Sequence, residues 1–105
     1  MDGELLNIDG MGNRVASLIW GPANVIIVAG MNKVVDNIDA AVDRARNTAA
    51  PINTIRLNRK TPCTQTGRCM DCMSPDCICS QFVVTRRSMP AGRIKIILVG
   101  EELGY

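Results

Sequence analysis

The amino-acid sequence predicts an α/β fold in which a partial open sheet is combined with one amphipathic helix and one irregular segment rich in cysteine. Residues 24–29 and 94–99 are almost continuously apolar, which is typical of strands that are covered on both faces. Residues 36–49 carry a helical stripe of apolar side chains. With 105 residues, the chain has the length of one domain, and we expect a single domain over residues 1–105.

The first twenty residues predict an N-terminal β-hairpin. Residues 4–9 alternate weakly between apolar and polar side chains and lead into a run rich in turn-forming residues, Asp9-Gly10-Met11-Gly12-Asn13. Residues 15–20 then predict a second strand, which would pair with the first one.

The helix is the most strongly patterned element. Asp36 can cap its N-terminus, and Pro51 is expected to end it. Its apolar stripe consists of Ile38, Ala41, Val42, Ala45 and Ala49. Because residues 52–57 are rich in apolar side chains, they predict a strand, and residues 24–57 would then form a βαβ unit.

Residues 80–86 and 94–99 complete a set of about six strands for a single helix. A parallel sheet needs helices on both faces, and one helix of about four turns cannot supply them. We therefore expect either that the chain is part of a larger fold or that an oligomer, such as a dimer, covers the bare face. A small α+β domain with an exposed antiparallel face is the alternative.

Composition excludes several classes of function. The chain has no histidine, which excludes Ser-His-Asp and Cys-His catalysis and imidazole metal sites. A net charge of +2 and three aromatic residues argue against a nucleic-acid partner. The apolar runs are far shorter than the roughly 20 residues of a membrane helix. Because no export signal precedes the five cysteines, a reducing cytoplasm is the expected location.

The cysteines lie in residues 58–80, called here the cysteine segment, with the spacing C-x5-C-x2-C-x4-C-x-C. In a C-x2-C pair such as Cys69 and Cys72, both sulfurs can converge on one ion. A zinc site would combine this pair with two of Cys63, Cys77 and Cys79. An iron–sulfur cluster would use the same kind of thiolate set, and five unligated thiols are the remaining interpretation.

Polar residues at the ends of the apolar strands predict a second site. Ligands of open α/β sheets bind beyond the carboxyl ends of the strands. Gly30, Asn32 and Lys33 follow one apolar strand, and Glu101 follows another. Gly30 permits close backbone approach and Lys33 offers a positive charge, which together favour a cleft for a small anion or carboxylate. Glu101 is the candidate acid, base or carboxylate nucleophile.

An ordered set of motifs across nearly the whole chain resembles the LUD domain of the lactate-utilisation protein family. The motifs are residues 4–14 (ELLNIDGMGNR), Gly21-Pro22, residues 25–33 (VIIVAGMNK), Thr61-Pro62-Cys63, residues 66–72 (TGRCMDC), Ser74-Pro75-Asp76 and residues 99–105 (VGEELGY).

The resemblance implies a fold akin to the NagB, RpiA and CoA-transferase superfamily, and this chain resembles the C-terminal portion of the LUD domain. It implies an accessory role in bacterial oxidation of lactate, beside sister subunits that carry iron–sulfur clusters. Cys77 departs from the family pattern. The metal ligands that the resemblance implies are therefore Cys63, Cys69, Cys72 and Cys79. Two further functions stay open, a transferase or small-molecule-binding protein that uses Glu101 and a cysteine–zinc module for nucleic acid.

Overall fold

The computed structural model describes residues 3–105, which form a mixed α/β structure with two small sheets. The elements are β1 (Leu5–Asp9), α1 (Asn13–Ile19), β2 (Val25–Gly30), a 3₁₀ turn (Met31–Lys33), α2 (Ile38–Arg44), a π-helical turn (Ala45–Ala49), α3 (Ala50–Arg56), α4 (Pro62–Thr66), β3 (Gln81–Thr85) and β4 (Ile94–Val99). The predicted α/β class is confirmed, whereas the NagB-like arrangement stays a prediction.

Each sheet has two strands. β1 pairs with β3 in antiparallel orientation, with Leu5 opposite Thr85. β2 pairs with β4 in parallel orientation, with Val25 opposite Ile94. The two apolar strands of the sequence are thus confirmed as a parallel pair, and their carboxyl ends meet at one edge.

The predicted N-terminal β-hairpin is wrong, because residues 13–19 form the helix α1 instead of a strand. The carboxylate of Asp9 accepts hydrogen bonds from the backbone N–H groups of Arg14 and Val15 at 3.0 and 3.1 Å. It thereby satisfies two donors that the first turn of a helix leaves unpaired. Val15 and Leu18, three residues apart, form the buried face of α1.

The cap at Asp9 makes stability depend on pH. Burial would raise the pKa of Asp9, but the hydrogen bonds from Val15 and Arg14 outweigh that effect and lower it. A carboxylate whose pKa is lowered by folding stabilises the fold above its unfolded pKa of about 3.9, and that contribution is lost as the pH falls. We expect the free energy of unfolding in urea to fall as the pH is lowered from about 5 to about 3. The fall should be larger for the wild type than for Asp9→Asn, which has no carboxylate to protonate at this position. Parallel profiles for the two proteins would contradict the cap, and Asp39→Asn at an exposed position is the control.

The central helix begins one residue later and ends later than predicted. Asn37, not Asp36, caps α2, since its Oδ1 accepts the N–H of Ala40 at 2.8 Å. The helical stretch continues through Pro51 to Arg56. The strand predicted for residues 52–57 is therefore wrong, and so is the βαβ unit that depended on it. Proline lacks the N–H that a helix interior needs. Here the π-helical turn ends at Ala49 and α3 begins at Ala50, so Pro51 lies in the first turn of α3, where that N–H is not needed.

The parallel sheet is only partly covered. Its outer face carries Ile26, Val28 and Ile97, which are 63, 57 and 51 % exposed. Among residues 3–105, the buried apolar side chains are those of Val15, Leu18 and Pro51. The bare face expected from the strand composition is therefore present. Within the same residues, the helices are too short or too polar to cross a membrane.

Candidate functional site

All five cysteines line one small cavity with a volume of about 180 Å³. Its walls come from the helical stretch ending in α3, from the start of α4, from residues 69–79 and from β3. The other lining residues are Arg46, Ala50, Thr54, Thr61, Met70, Asp71, Met73, Ile78 and Phe82. Every cysteine is half-buried, and none is in a disulfide. The fold therefore gathers the thiols that the sequence spreads over 17 positions.

Cys63 is placed by the short helix α4, which interrupts the segment predicted to be irregular. Pro62 occupies its first turn, as prolines often do. The Cys63 Sγ lies 3.3 Å from the Thr54 Oγ1 and 3.2 Å from the Thr61 Oγ1. Both threonines are almost fully buried, so they fix the position of this sulfur.

Backbone N–H groups donate to two of the sulfurs in the same pattern. The N–H of Asp71 donates to the Cys69 Sγ at 3.3 Å, and the N–H of Cys79 donates to the Cys77 Sγ at 3.4 Å. Each donor is two residues beyond its sulfur. Hydrogen bonds of this kind stabilise thiolates and tune sulfur-ligated metals.

The π-helical turn presents two side chains to Cys69. The Asn47 Oδ1 accepts the backbone N–H of Cys69 at 2.9 Å. The Arg46 Nε donates to the Cys69 Sγ at 3.2 Å, and its Nη2 pairs with the Asp71 carboxylate at 2.6 Å. The same guanidinium stacks over Phe82, 5.6 Å from the ring centre. Turns of this type occur frequently at functional sites.

The thiols influence one another electrostatically. Burial raises the pKa of Cys79 to about 11, and the other four cysteines add to the shift. The Ser74 N–H lowers the pKa of Cys72, but burial and the neighbouring Cys77 and Cys63 outweigh it and raise it. Crowded thiols resist ionisation, and a bound cation would relieve that resistance.

The donor set has the chemistry of a thiophilic cation, although its atoms are not yet arranged around one. Within residues 3–105, no three His, Cys, Asp or Glu side chains form a group that could already hold an ion. The sulfurs are gathered at one cavity, which is a weaker condition than convergence on a point. Binding a metal would require the cysteine segment to close further.

The residues predicted at the strand ends meet each other, and they also hold the chain's own residues 101–104. The N–H of Met31 donates to the Glu101 carbonyl at 3.2 Å. The Asn32 Oδ1 accepts from the Leu103 N–H at 3.2 Å, and its Nδ2 donates to the Gly104 carbonyl at 3.4 Å. The Asn32 amide is thus occupied by these residues. The Glu101 side chain is exposed.

Lys33 faces a larger cleft of about 970 Å³, which the parallel strands, β1 and the central helix enclose. Arg14, Arg44 and Arg59 line it as well, whereas Gly30, Asn32 and Glu101 lie outside its lining. Ala50, Ile78 and Cys79 border both this cleft and the cysteine cavity. Of the residues predicted at the strand ends, only Lys33 lines this cleft, and the cleft shares a wall that includes Cys79 with the cysteine cavity.

Sequence reasoning missed the helix residues at the cysteine cavity. Arg46 and Thr54 precede the cysteines that they contact by 23 and 9 positions, and no local motif marks either of them. Cys77, set apart because of the family pattern, lines the cavity with the other four cysteines.

Comparison with known proteins gives one match. The family model described as the LUD domain matches residues 1–99, nearly the whole chain. No curated protein and no solved structure matches the chain significantly.

Proposed function

Because the chain belongs to the LUD-domain family, we propose that it is an accessory component of lactate utilisation whose cysteine segment holds a metal centre. Cys63, Cys69, Cys72 and Cys79 would supply the thiolates. The metal would order the segment in the way that a structural zinc ion orders a small domain. The observation that carries the proposal is that every cysteine lines one small cavity.

Zinc is the first candidate, and the charges around the cavity suit it. Four thiolates around a divalent ion leave a charge of about −2. The Arg46 guanidinium, which donates a hydrogen bond to the Cys69 sulfur, would offset part of that negative charge.

An iron–sulfur cluster on the same four cysteines is the second candidate. The observation that favours it is the position of Cys79 in the wall between the cavity and the cleft. A small organic anion bound in the cleft that Lys33 lines would then share a wall with an electron carrier. For the transferase and the nucleic-acid module, no observation on residues 3–105 adds support.

Metal analysis decides between the candidates. Protein purified without oxygen is assayed for metal per chain by plasma mass spectrometry, and its absorption spectrum is recorded. One zinc in a colourless solution supports a structural centre, whereas iron with sulfide in a brown solution supports the cluster. With a metal bound, chelation should increase trypsin cleavage within residues 59–68. Protein without metal, or cleavage that chelation leaves unchanged, would overturn the metal centre.

Zinc affinity should rise steeply with pH. Cys72 and Cys79, whose pKa values are raised, are thiols near neutral pH and must lose their protons to bind zinc. At least two displaced protons predict an increase of at least about 100-fold per pH unit near neutrality. Competition with a chromogenic chelator at about pH 6.5 and pH 7.5 measures it. An affinity that does not change would show that neither thiol gives up a proton.

Arg46 should tune the metal site without being a ligand. Arg46→Gln removes the hydrogen bond to Cys69 and the ion pair with Asp71. The expected loss in zinc affinity is about 10-fold to 100-fold, the usual effect of residues that support metal ligands. Arg56→Gln, in α3, removes a contact with Asn53 only and is the matched control. Equal affinities for the two variants would contradict the role of Arg46.

The exposed face of the parallel sheet supports association with another subunit, either a second copy or a component of a lactate-oxidising complex. Ile26, Val28 and Ile97 would become buried at such an interface. Light scattering of the purified chain tests for the second copy, and a clean monomer would exclude the dimer under those conditions. A cytoplasmic location stays a prediction from the reduced cysteines.

A further inference from the structure

The cleft that Lys33 lines has an apolar wall made by the parallel sheet. Ile27 and Ala29 of β2 lie on this inner face beside Ile96 and Leu98 of β4, and all four line the cleft. The side chains of Ile96 and Leu98 are nevertheless 42 and 46 % exposed. Within residues 3–105, this side of the sheet therefore faces an open space and not a packed core.

The opposite wall is the apolar side of the central helical stretch. Its members in the lining are Ile38, Ala41, Ala45 and Ala49. From position 38 to position 49 this side of the helix extends for roughly 15 Å along its axis. Because three of the four side chains are only methyl groups, the helix does not fill the space in front of the sheet. The cleft of about 970 Å³ is consequently long and lined with hydrocarbon on two sides.

Two cationic side chains of the lining are held at the same turn, at the carboxyl end of β2. Lys33 belongs to the 3₁₀ turn that follows this strand. The Arg44 Nε donates to the carbonyl oxygen of Asn32, the preceding residue of that turn, at 2.8 Å. Neither Lys33 nor Arg44 has an ion-pair partner within residues 3–105. The Asn32 bond uses one nitrogen of Arg44 and leaves its two terminal amino groups for a ligand.

The other charges of the lining have partners or balance one another. Arg14 donates to the Asn7 Oδ1 and to the Ile8 carbonyl, both at 2.7 Å. Arg59 lies 3.9 Å from the carboxylate of Asp76. The carboxylates of the lining are those of Glu4, Asp9 and Asp36, of which Asp9 caps α1. Four cations stand against three carboxylates, so the charge of the cleft favours an anion.

We propose that the cleft binds a medium-chain aliphatic carboxylate, with its charged group at Lys33 and Arg44 and its hydrocarbon chain between the sheet and the helix. Guanidinium and ammonium groups form charge-assisted hydrogen bonds with carboxylates. Burial of the hydrocarbon would supply most of the affinity. A three-carbon acid such as lactate would leave both apolar walls in water. The inference goes beyond the proposed function, and it depends on neither the metal nor lactate.

The test titrates butanoate, octanoate and dodecanoate into the purified protein by isothermal titration calorimetry, each below the concentration at which it forms micelles. Each added CH₂ should tighten binding about threefold to fourfold, so dodecanoate should bind about 100-fold more tightly than octanoate. The uncharged octanol should bind about tenfold more weakly than octanoate, because it lacks the charge that the two cations recognise. Affinity that does not rise with chain length, or equal affinity for octanol and octanoate, would overturn the proposal.

Two pairs of variants locate the ligand. Lys33→Gln should weaken dodecanoate binding about tenfold and leave octanol binding unchanged, whereas Lys60→Gln, at an exposed lysine outside the lining, should change neither. Ala41→Leu places a larger side chain in the lining and should weaken both ligands at least about tenfold. Ala40→Leu, the neighbouring position outside the lining, is its control. Equal affinities within either pair would overturn the proposal. Because the Lys33 side chain is exposed, its pair decides even if Ala41→Leu fails to fold.

Failure of the metal centre has a different result, and the metal content of each preparation is therefore measured beside the titration. Protein that holds no metal but binds dodecanoate with the expected dependence on chain length supports the carboxylate site and rejects the metal centre. Protein that holds a metal and shows no saturable binding of dodecanoate overturns the carboxylate site alone.

Discussion

Replacing Cys79 with serine is expected to lower zinc affinity by more than about 100-fold, since loss of a ligand exceeds the effect of losing a supporting residue. Cys79 is the cysteine whose ionisation all four other thiols oppose, which places its sulfur among them. A serine oxygen is a poor replacement for a thiolate, because zinc sites of this class are built from sulfur. Competition titration with a chromogenic chelator measures the change.

The matched control is Cys77→Ser, two positions away in the same stretch of chain. Both side chains line the cysteine cavity, so the two substitutions remove the same atom from its lining. If the ligands are Cys63, Cys69, Cys72 and Cys79, only the change at Cys79 abolishes tight binding. Comparable losses for both variants would show that Cys77 is a ligand, and loss for Cys77→Ser alone would replace Cys79 by Cys77 in the proposed set.

If Cys79 is a ligand, the common wall gives the two cavities a physical connection. Ile78 and Cys79 border both of them, so a shift of this short stretch on metal binding would alter the lining of the larger cleft. A metal that orders the cysteine segment would then also shape the place where an anion could bind near Lys33. The metal centre and the cleft should accordingly be tested together.

The sequence predicts all four strands found in residues 3–105, because their apolar runs are bounded by turn-forming residues, but it also predicts two strands where the chain is helical. The sequence does not predict α1, because a short run of apolar and small residues such as residues 15–20 fits either a strand or a helix. The interaction that decides is the Asp9 cap, which lies four residues before the first helical position. Residues 52–57 also have the composition of a strand, but they lie in α3, where Thr54 is buried against Cys63.

The cysteine site could be predicted in composition but not in arrangement. Spacing identifies Cys69 and Cys72 as a pair, and it says nothing about the helix that supports them. Arg46 and Asn47 reach Cys69 because a π-helical turn sets their direction, and no residue pattern in the sequence announces that turn. Contacts between residues more than 20 positions apart become visible only once the chain has folded.

Gly30→Ala should destabilise the protein more than any other single methyl group added at the strand ends. A Cβ at position 30 would lie 2.4 Å from the Asn32 Oδ1, 2.5 Å from the Leu103 nitrogen and 2.6 Å from the Glu101 oxygen. Two of these atoms are backbone, so residues 101–103 would have to move. Overpacking of this kind costs about 1–3 kcal/mol. The Tm should fall by roughly 4–8 °C for each kcal/mol lost in a domain of about this length.

Gly100→Ala is the matched control, because a Cβ there meets no atom within 4 Å. Both glycines lie at the carboxyl ends of paired strands, and the backbone of Gly30 is ordinary extended chain with φ −73°, so the difference between the variants measures space and not backbone conformation. Thermal and urea unfolding of the two variants should therefore diverge. If Gly30→Ala unfolds like Gly100→Ala, residues 101–103 are not held against Gly30 in solution. Asn32 and Glu101 would then have no structural reason to act at one site.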